Sequence, residues 1–364
     1  MEKRKNIAIL ALCAAFLCGF LLWSWLQPDA LVSRTERRPL AQKPALRAET
    51  LLNGSFMEQF ETYSLDQFPL RETFRRIKAE TLTQLLRQKD NNGIYLAQQH
   101  AAKLDPTLNT ASVDYAASRF ARLYELYLTD AQSVYVSVIP DKTAYLAAES
   151  GYPTLDHAAL AERLYSQMPY ATPVDLTDVL SLESYYRTDL HWRQEALLPV
   201  AETLAEAMGV TLTGEYETLA SDAPFYGVYS GQSALALQAD TLRYLTNDTL
   251  RACTVYDYEM QSELPVYVLP ELTGQDPYSV FLGGSKSLLR LTNPNATTTR
   301  ELLVFRDSFA SSLIPLLAEG YAAVTLVDIR YVQPERLGAL LDLTVSDVLF
   351  LYSEAVLNDS SSLK

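Results

Sequence analysis

Residues 302–351 read LLVFRDSFASSLIPLLAEGYAAVTLVDIRYVQPERLGALLDLTVSDVLFL. Three apolar runs, 302–305, 323–329 and 345–351, alternate with helix-length segments at 311–317 and 334–341. Short runs of Val, Leu, Ile and Phe without polar alternation are how strands buried on both faces read. Strands alternating with helices predict a parallel sheet joined by right-handed crossovers. In such sheets ligands bind beyond the carboxyl ends of the strands. Ser308 falls there after the first run, Arg330 and Tyr331 after the second, Ser353 and Glu354 after the third.

Upstream, Val-Tyr-Val-Ser-Val-Ile at 134–139 adds a strand that delivers Asp141 and Lys142 to the same edge. Helical spacing predicts helices over 112–128, 158–168 and 194–208, the last with Leu197, Val200, Ala201, Leu204 and Met208 on one face and His191 close to its start. Asn91-Asn92-Gly93 supplies a turn before a short strand at 94–96. Residues 214–275 carry scattered tyrosines and short apolar strings, and are expected to be an irregular insertion with some antiparallel strands.

The chain has only three histidines, His100, His157 and His191. The last lies in Thr188-Asp189-Leu190-His191-Trp192, two residues from an acid. A serine hydroxyl is a weak nucleophile at neutral pH; an imidazole must take its proton, and a carboxylate must hold that imidazole in the right tautomer. Asp189, His191 and Ser308 are the residues of this chain that supply those parts. Each also has a plain structural use, Ser308 and Asp189 as helix caps and His191 as a packed neighbour of Trp192.

The N-terminus places the chain. Residues 7–26 form an uncharged apolar stretch after Lys3, Arg4 and Lys5, ending in Trp23 and Trp25. As a helix, twenty residues reach about 30 Å, enough to cross a bilayer core. The preceding cations favour a cytoplasmic tail at 1–6, which puts everything after 27 outside. A cleaved signal peptide has a shorter apolar region, so an uncleaved single-pass anchor in the cell membrane is expected. Residues 34–50, basic and proline-bearing, read as a tether, and 51–88 as two amphipathic helices broken near Phe68-Pro69. The expected layout is a linker with helices over 27–90 and a catalytic domain over 91–364.

Composition narrows the function. A formal net charge of -14 disfavours nucleic acid as a partner. Cys13 and Cys18 lie in the apolar segment, leaving Cys253 alone outside the membrane, so no intrachain disulfide is expected there. The scattered histidines and single exported cysteine give no clustered metal-ligand spacing, and no metal or cofactor is expected.

Taken with Asn53-Gly54, Phe68-Pro69-Leu70-Arg71, Asn92-Gly93-Ile94-Tyr95, Val138-Ile139-Pro140-Asp141-Lys142, Phe225-Tyr226-Gly227, Phe281-Leu282-Gly283-Gly284 and Asp328-Ile329-Arg330-Tyr331, the two clusters resemble the DHHW family of exported bacterial proteins. Through it the chain resembles the SGNH-like acetyltransferase proteins that modify alginate. The resemblance implies an α/β, three-layer SGNH-hydrolase-like domain with a parallel sheet, preceded by a transmembrane helix and a short helical segment. It implies that Asp189 orients His191, that His191 is the base and Ser308 the nucleophile; Gly227, Asp141, Lys142, Arg330 and Tyr331 are the candidates for binding substrate or the oxyanion. The implied activity is an extracytoplasmic O-acyltransferase, moving acetyl groups onto a cell-surface polysaccharide through an acyl-enzyme, with a multipass membrane-bound O-acyltransferase as supplier. A carbohydrate acetylesterase, or a non-catalytic glycan-binding or scaffold subunit of an envelope acetylation complex, would share the same residues. Two positions depart from the relatives: Leu190 stands where the family name calls for histidine, and Arg306 where many SGNH proteins have glycine.

Overall fold

The computed structural model describes residues 2–129, 133–212 and 214–364, with backbone alone at 147–149. Met1 of the expected 1–6 tail lies outside them. The chain forms two units, one comprising residues up to Asn92 with Ser230–Ala236, the other Gly93–Tyr229 with Leu237–Lys364.

In the first unit, α1 (Glu2–Leu26) is a single helix with none of its residues buried. It is long and apolar enough to cross a membrane. After a short helical turn at Ala48–Leu52 come α2 (Ser55–Asp66) and α3 (Arg71–Glu80). They part at Phe68-Pro69, where Pro69 has no N–H to continue a helix and Leu70 adopts a left-handed φ of 59°.

The second unit is built on one eight-stranded sheet. Its strands are β1 (Ser133–Ile139), β2 (Thr172–Pro173), β3 (Thr254–Asp257), β4 (Ser262–Pro265), β5 (Leu288–Thr292), β6 (Glu301–Arg306), β7 (Ala323–Val327) and β8 (Asp347–Ser353). They lie in the order β4-β3-β5-β7-β6-β8-β1-β2. From β7 to β2 every pairing is parallel, as the alternation of strands and helices predicts. β5, β3 and β4 extend the sheet antiparallel, so part of the segment read as an irregular insertion continues the main sheet. The rest of it forms a separate hairpin, Glu217–Phe225 against Asp240–Thr246.

Alternation along each strand assigns the two faces. Leu302, Val304, Leu326 and Leu349 face a core filled by α6 (Leu198–Met208) and α7 (Ala310–Leu317). Leu303, Phe305, Val136 and Phe350 face the opposite core, filled by α4 (Thr110–Leu123) and α5 (His157–Ser166). Helices over both faces of this mixed sheet make the three layers. One boundary differs from the sequence reading in a way that matters. The helix expected from 194 begins at Leu198 after a separate 3₁₀ turn, Gln194–Ala196, because Pro199 sits at the first turn where no N–H is needed. His191 therefore stands at the end of a bend over residues 187–191, just before Trp192 bridges to Tyr185, rather than at the start of an α-helix.

Candidate functional site

The turn after β6 is fixed by Asp307, which is fully buried. One of its carboxylate oxygens accepts the Phe309 N–H at 3.0 Å; the other accepts the Ser353 N–H at 2.7 Å and its Oγ–H at 2.6 Å. The turn is thereby tied to the carboxyl end of the neighbouring strand β8. Arg306 is also fully buried. Its Nη1 donates to Asp307 O at 3.3 Å and Ser311 Oγ at 3.2 Å, and its Nη2 to Lys286 O at 3.1 Å. Burial lowers the guanidinium's pKa and Arg330 adds to that, while the Asp328 and Asp307 carboxylates oppose it. So the Arg306 side chain turns inward and ties the turn to Ser311 and Lys286.

On this turn Ser308 Oγ lies 2.8 Å from His191 Nε2, although 117 residues separate the two in sequence. His191 Nδ1 is 2.7 Å from Asp189 Oδ1. With a carboxylate at Nδ1, that nitrogen carries the proton and Nε2 is left as the acceptor facing the serine. Asp189 is buried, and its charge is met by donors: Oδ1 also accepts the His191 N–H at 3.0 Å, and Oδ2 the Val228 N–H at 2.8 Å.

Two further layers hold this row in place. Asp240 accepts from Arg187 N at 2.9 Å, Thr188 N at 2.8 Å and Thr188 Oγ1 at 2.6 Å, which fixes the backbone leading into Asp189. The His191 ring lies against Tyr278, centroids 4.0 Å apart and 14° from parallel, with Phe309 at 4.7 Å. Tyr278 is anchored through its hydroxyl to Ser312 Oγ at 2.8 Å, and Ser312 Oγ accepts the Trp192 indole N–H at 3.0 Å. Burial raises the Tyr278 hydroxyl well above the usual phenol range, so it stays protonated beside the imidazole. The Phe309 N–H is taken by Asp307 Oδ1 and the Ser311 N–H by Ser308 O, so neither is available to an oxyanion.

The other residues singled out in the sequence fall into place differently. Gly227 does not serve as an oxyanion donor, since its N–H donates to Thr188 Oγ1 at 2.8 Å. Its missing side chain is what matters: a Cβ there would lie 2.3 Å from Asp189 Cβ and 2.4 Å from Thr188 O. Lys142 is fully buried, so it is not available to a substrate. Its Nζ donates to Ala101 O at 2.8 Å and Tyr186 O at 2.7 Å and sits 5.2 Å from the Tyr229 ring centroid. Burial pushes this ammonium down to about 8, against the pull of the Asp141, Asp189 and Asp240 carboxylates. Asp141 is partly buried, and its carboxylate accepts the Thr143 N–H at 2.8 Å while its own N–H donates to Glu354 Oε2 at 2.7 Å. Arg330 is held by Asp328 through two hydrogen bonds, 2.9 and 2.6 Å, and Tyr331 is half exposed beside it. Leu190 is partly buried and packs on the core. Tyr278, Asp240 and Ser312 were not singled out in sequence; in a chain with 23 tyrosines, nothing local marks the one that stacks on the histidine. Among the described residues no group of acidic, histidine and cysteine side chains could hold a metal ion.

No protein-family model matches the chain, and no curated protein matches it. Among solved structures it is similar to a DHHW family protein from Eubacterium siraeum, with a TM-score of 0.60 and 20% identity over 76% of this chain and 97% of that one. It is also similar to Bacillus cereus PatB1 carrying a sulfonyl adduct, with a TM-score of 0.59 and 16% identity over 72% of this chain and 94% of that one. A second structure of Bacillus cereus PatB1 gives a TM-score of 0.55 and 17% identity over 72% and 96%. At these identities the likeness is one of fold. The layered α/β architecture expected from the sequence is the one the chain adopts, and in fold it is similar to a DHHW family protein and to PatB1.

Proposed function

We propose that the chain is a membrane-anchored, extracytoplasmic O-acyltransferase that moves acetyl groups onto hydroxyls of a cell-surface polysaccharide. The observation that carries this reading is the unbroken row from Ser308 Oγ through His191 to Asp189, with links of 2.8 and 2.7 Å. In the first half-reaction Ser308 Oγ attacks the acetyl carbonyl of the donor as its proton passes to His191 Nε2. Collapse of the tetrahedral intermediate expels the donor's leaving group, which takes that proton and leaves an acetyl ester on Ser308. In the second half His191 Nε2 removes the proton of a sugar hydroxyl, the sugar oxygen attacks the ester, and Ser308 regains its proton. Asp189 stabilises the imidazolium formed in each half. PatB1, alike in fold, carries a sulfonyl adduct; sulfonyl reagents capture serine hydroxyls activated in this manner. Because acetyl donors are scarce outside the cytoplasm, a multipass membrane-bound O-acyltransferase is the proposed supplier, with α1 holding the chain beside it.

The test is partition. The full chain in detergent, given p-nitrophenyl acetate and an acetylatable oligosaccharide, is expected to divert acetyl from water to sugar. Release of acetate alone at every sugar concentration would make it an esterase. Full surface O-acetylation in cells carrying Ser308→Ala would make it a scaffold.

A further inference from the structure

The first unit is built inside out. Its buried side chains include Ser33, Asp66 and Gln67, and its interior is held by polar contacts. Asp66 accepts two hydrogen bonds from Arg38, at 2.9 and 2.7 Å, and one from Ala41 N at 2.8 Å. Gln67 bonds the Ala30 backbone through both ends of its amide, each at 2.9 Å. The large apolar side chains lie outside: Met57, Phe60, Leu65, Phe68, Phe74 and Ile77 are all exposed, by 39% to 65%. Several of the rings cluster, Phe68 with Phe74 at 5.7 Å and Phe56 with Phe60 at 5.9 Å between centroids, and exposed apolar groups gathered in this way mark a surface made for something apolar.

Its position along α1 says what. Phe20 of α1 stacks on Phe68, centroids 5.4 Å apart and 2° from parallel, and meets Phe74 edge-on at 5.9 Å. Phe20 is six residues inside the end of α1 at Leu26, a depth of about 9 Å at 1.5 Å per residue. An amphipathic helix lying in a membrane interface buries its apolar face by about 5–10 Å. The same stretch of α1 and α2 encloses an apolar groove of about 830 Å³ lined by Phe16, Phe20, Leu21, Trp25, Phe60 and Phe68. Cations at the exposed positions Arg34, Arg76 and Lys78 suit anionic headgroups.

From this we infer that α2 and α3 are an interfacial collar, seated in the outer leaflet around the exit point of α1 with Phe60, Phe68 and Phe74 among the acyl chains. The inference rests on α1 crossing the membrane, and the experiment separates the two. The full chain is placed in bilayers of phosphatidylcholine and phosphatidylglycerol brominated near the carbonyl end of the acyl chains, and tryptophan emission is read. In the wild type Trp23 and Trp25 report on α1; Trp192 is fully buried and gives a constant background. In a Trp23→Phe, Trp25→Phe background, Phe74→Trp reports on the collar, and Phe60→Trp does so independently should the first fail to fold. The collar predicts blue-shifted emission that the brominated lipid quenches at both positions. Quenching in the wild type without quenching at positions 60 and 74 overturns the collar and leaves the anchor standing. Loss of quenching everywhere overturns both. Blue-shifted emission at 60 and 74 that bromine does not reach would mean a protein partner covers the patch, and overturns the lipid assignment.

Discussion

At the scale of single residues, the histidine is defined by what surrounds it. Asp189 fixes the tautomer, so Asp189→Asn should leave the fold intact and lower the acetyl-ester hydrolysis rate by about 10³ to 10⁴, because an amide can leave the proton on the wrong nitrogen. A stopped assay on p-nitrophenyl acetate measures it. Tyr278 acts one step back, through the ring it presents to His191. Tyr278→Phe keeps that ring and should retain most of the rate, whereas Tyr278→Ala should lose about 10-fold or more in kcat with little change in KM, since a displaced imidazole no longer meets the serine. Lys142 offers a pH test. Its folded-state pKa, about 8, lies below the unfolded value of 10.5. Between those values the unfolded chain binds more protons, so stability from this group rises with pH, and its cost is fully present below 8. Relative to Lys142→Met, the wild type should therefore gain up to about 2 kcal/mol between pH 8 and pH 10 in denaturant titrations.

At the scale of elements, the close pass of the 225–228 segment over Thr188-Asp189 is the tightest constraint on the site. Gly227→Ala would drive a methyl group into the Asp189 Cβ and the Thr188 carbonyl. It should cost about 1–3 kcal/mol in thermal or chemical unfolding and lower the rate more than stability alone explains, because the acid moves with the backbone. Elements also show what the sequence could and could not disclose. β6, β7 and β8 were legible because strands buried on both faces leave uninterrupted apolar runs, and their carboxyl ends pointed to Ser308. The half-buried strands are another matter. β3, with burial alternating along Thr254–Asp257, is only four residues long and shows no more than a short apolar string. That such a string extends the main sheet depends on β5 pairing with β7, a contact between residues distant in sequence. The same limit hid Asp240 and Tyr278, which serve Thr188 and His191 through contacts that no local pattern announces. Asp141 and Lys142 were legible as an edge position, but not the inward turn of Lys142, since burial of a lysine onto two carbonyls depends on the segments that close over it.

At the scale of the whole molecule, the second unit holds the row of Ser308, His191 and Asp189, and the first holds a helix long and apolar enough to cross a membrane. Protease added to intact protoplasts should digest the chain beyond residue 30, whereas protection of that region, or release of a mature form starting near 27, would contradict an uncleaved anchor with its bulk outside. The central claim, however, is that Ser308 becomes acylated with His191 as its base. It is tested most directly by quenching the full chain in acid during turnover of an acetyl ester and locating the acetyl group by peptide mass spectrometry. An acetyl ester is expected on the peptide containing Ser308, absent in Ser308→Ala and scarcely formed in His191→Ala. Turnover that proceeds at the wild-type rate in Ser308→Ala, or an acetyl group found on another side chain, would contradict it.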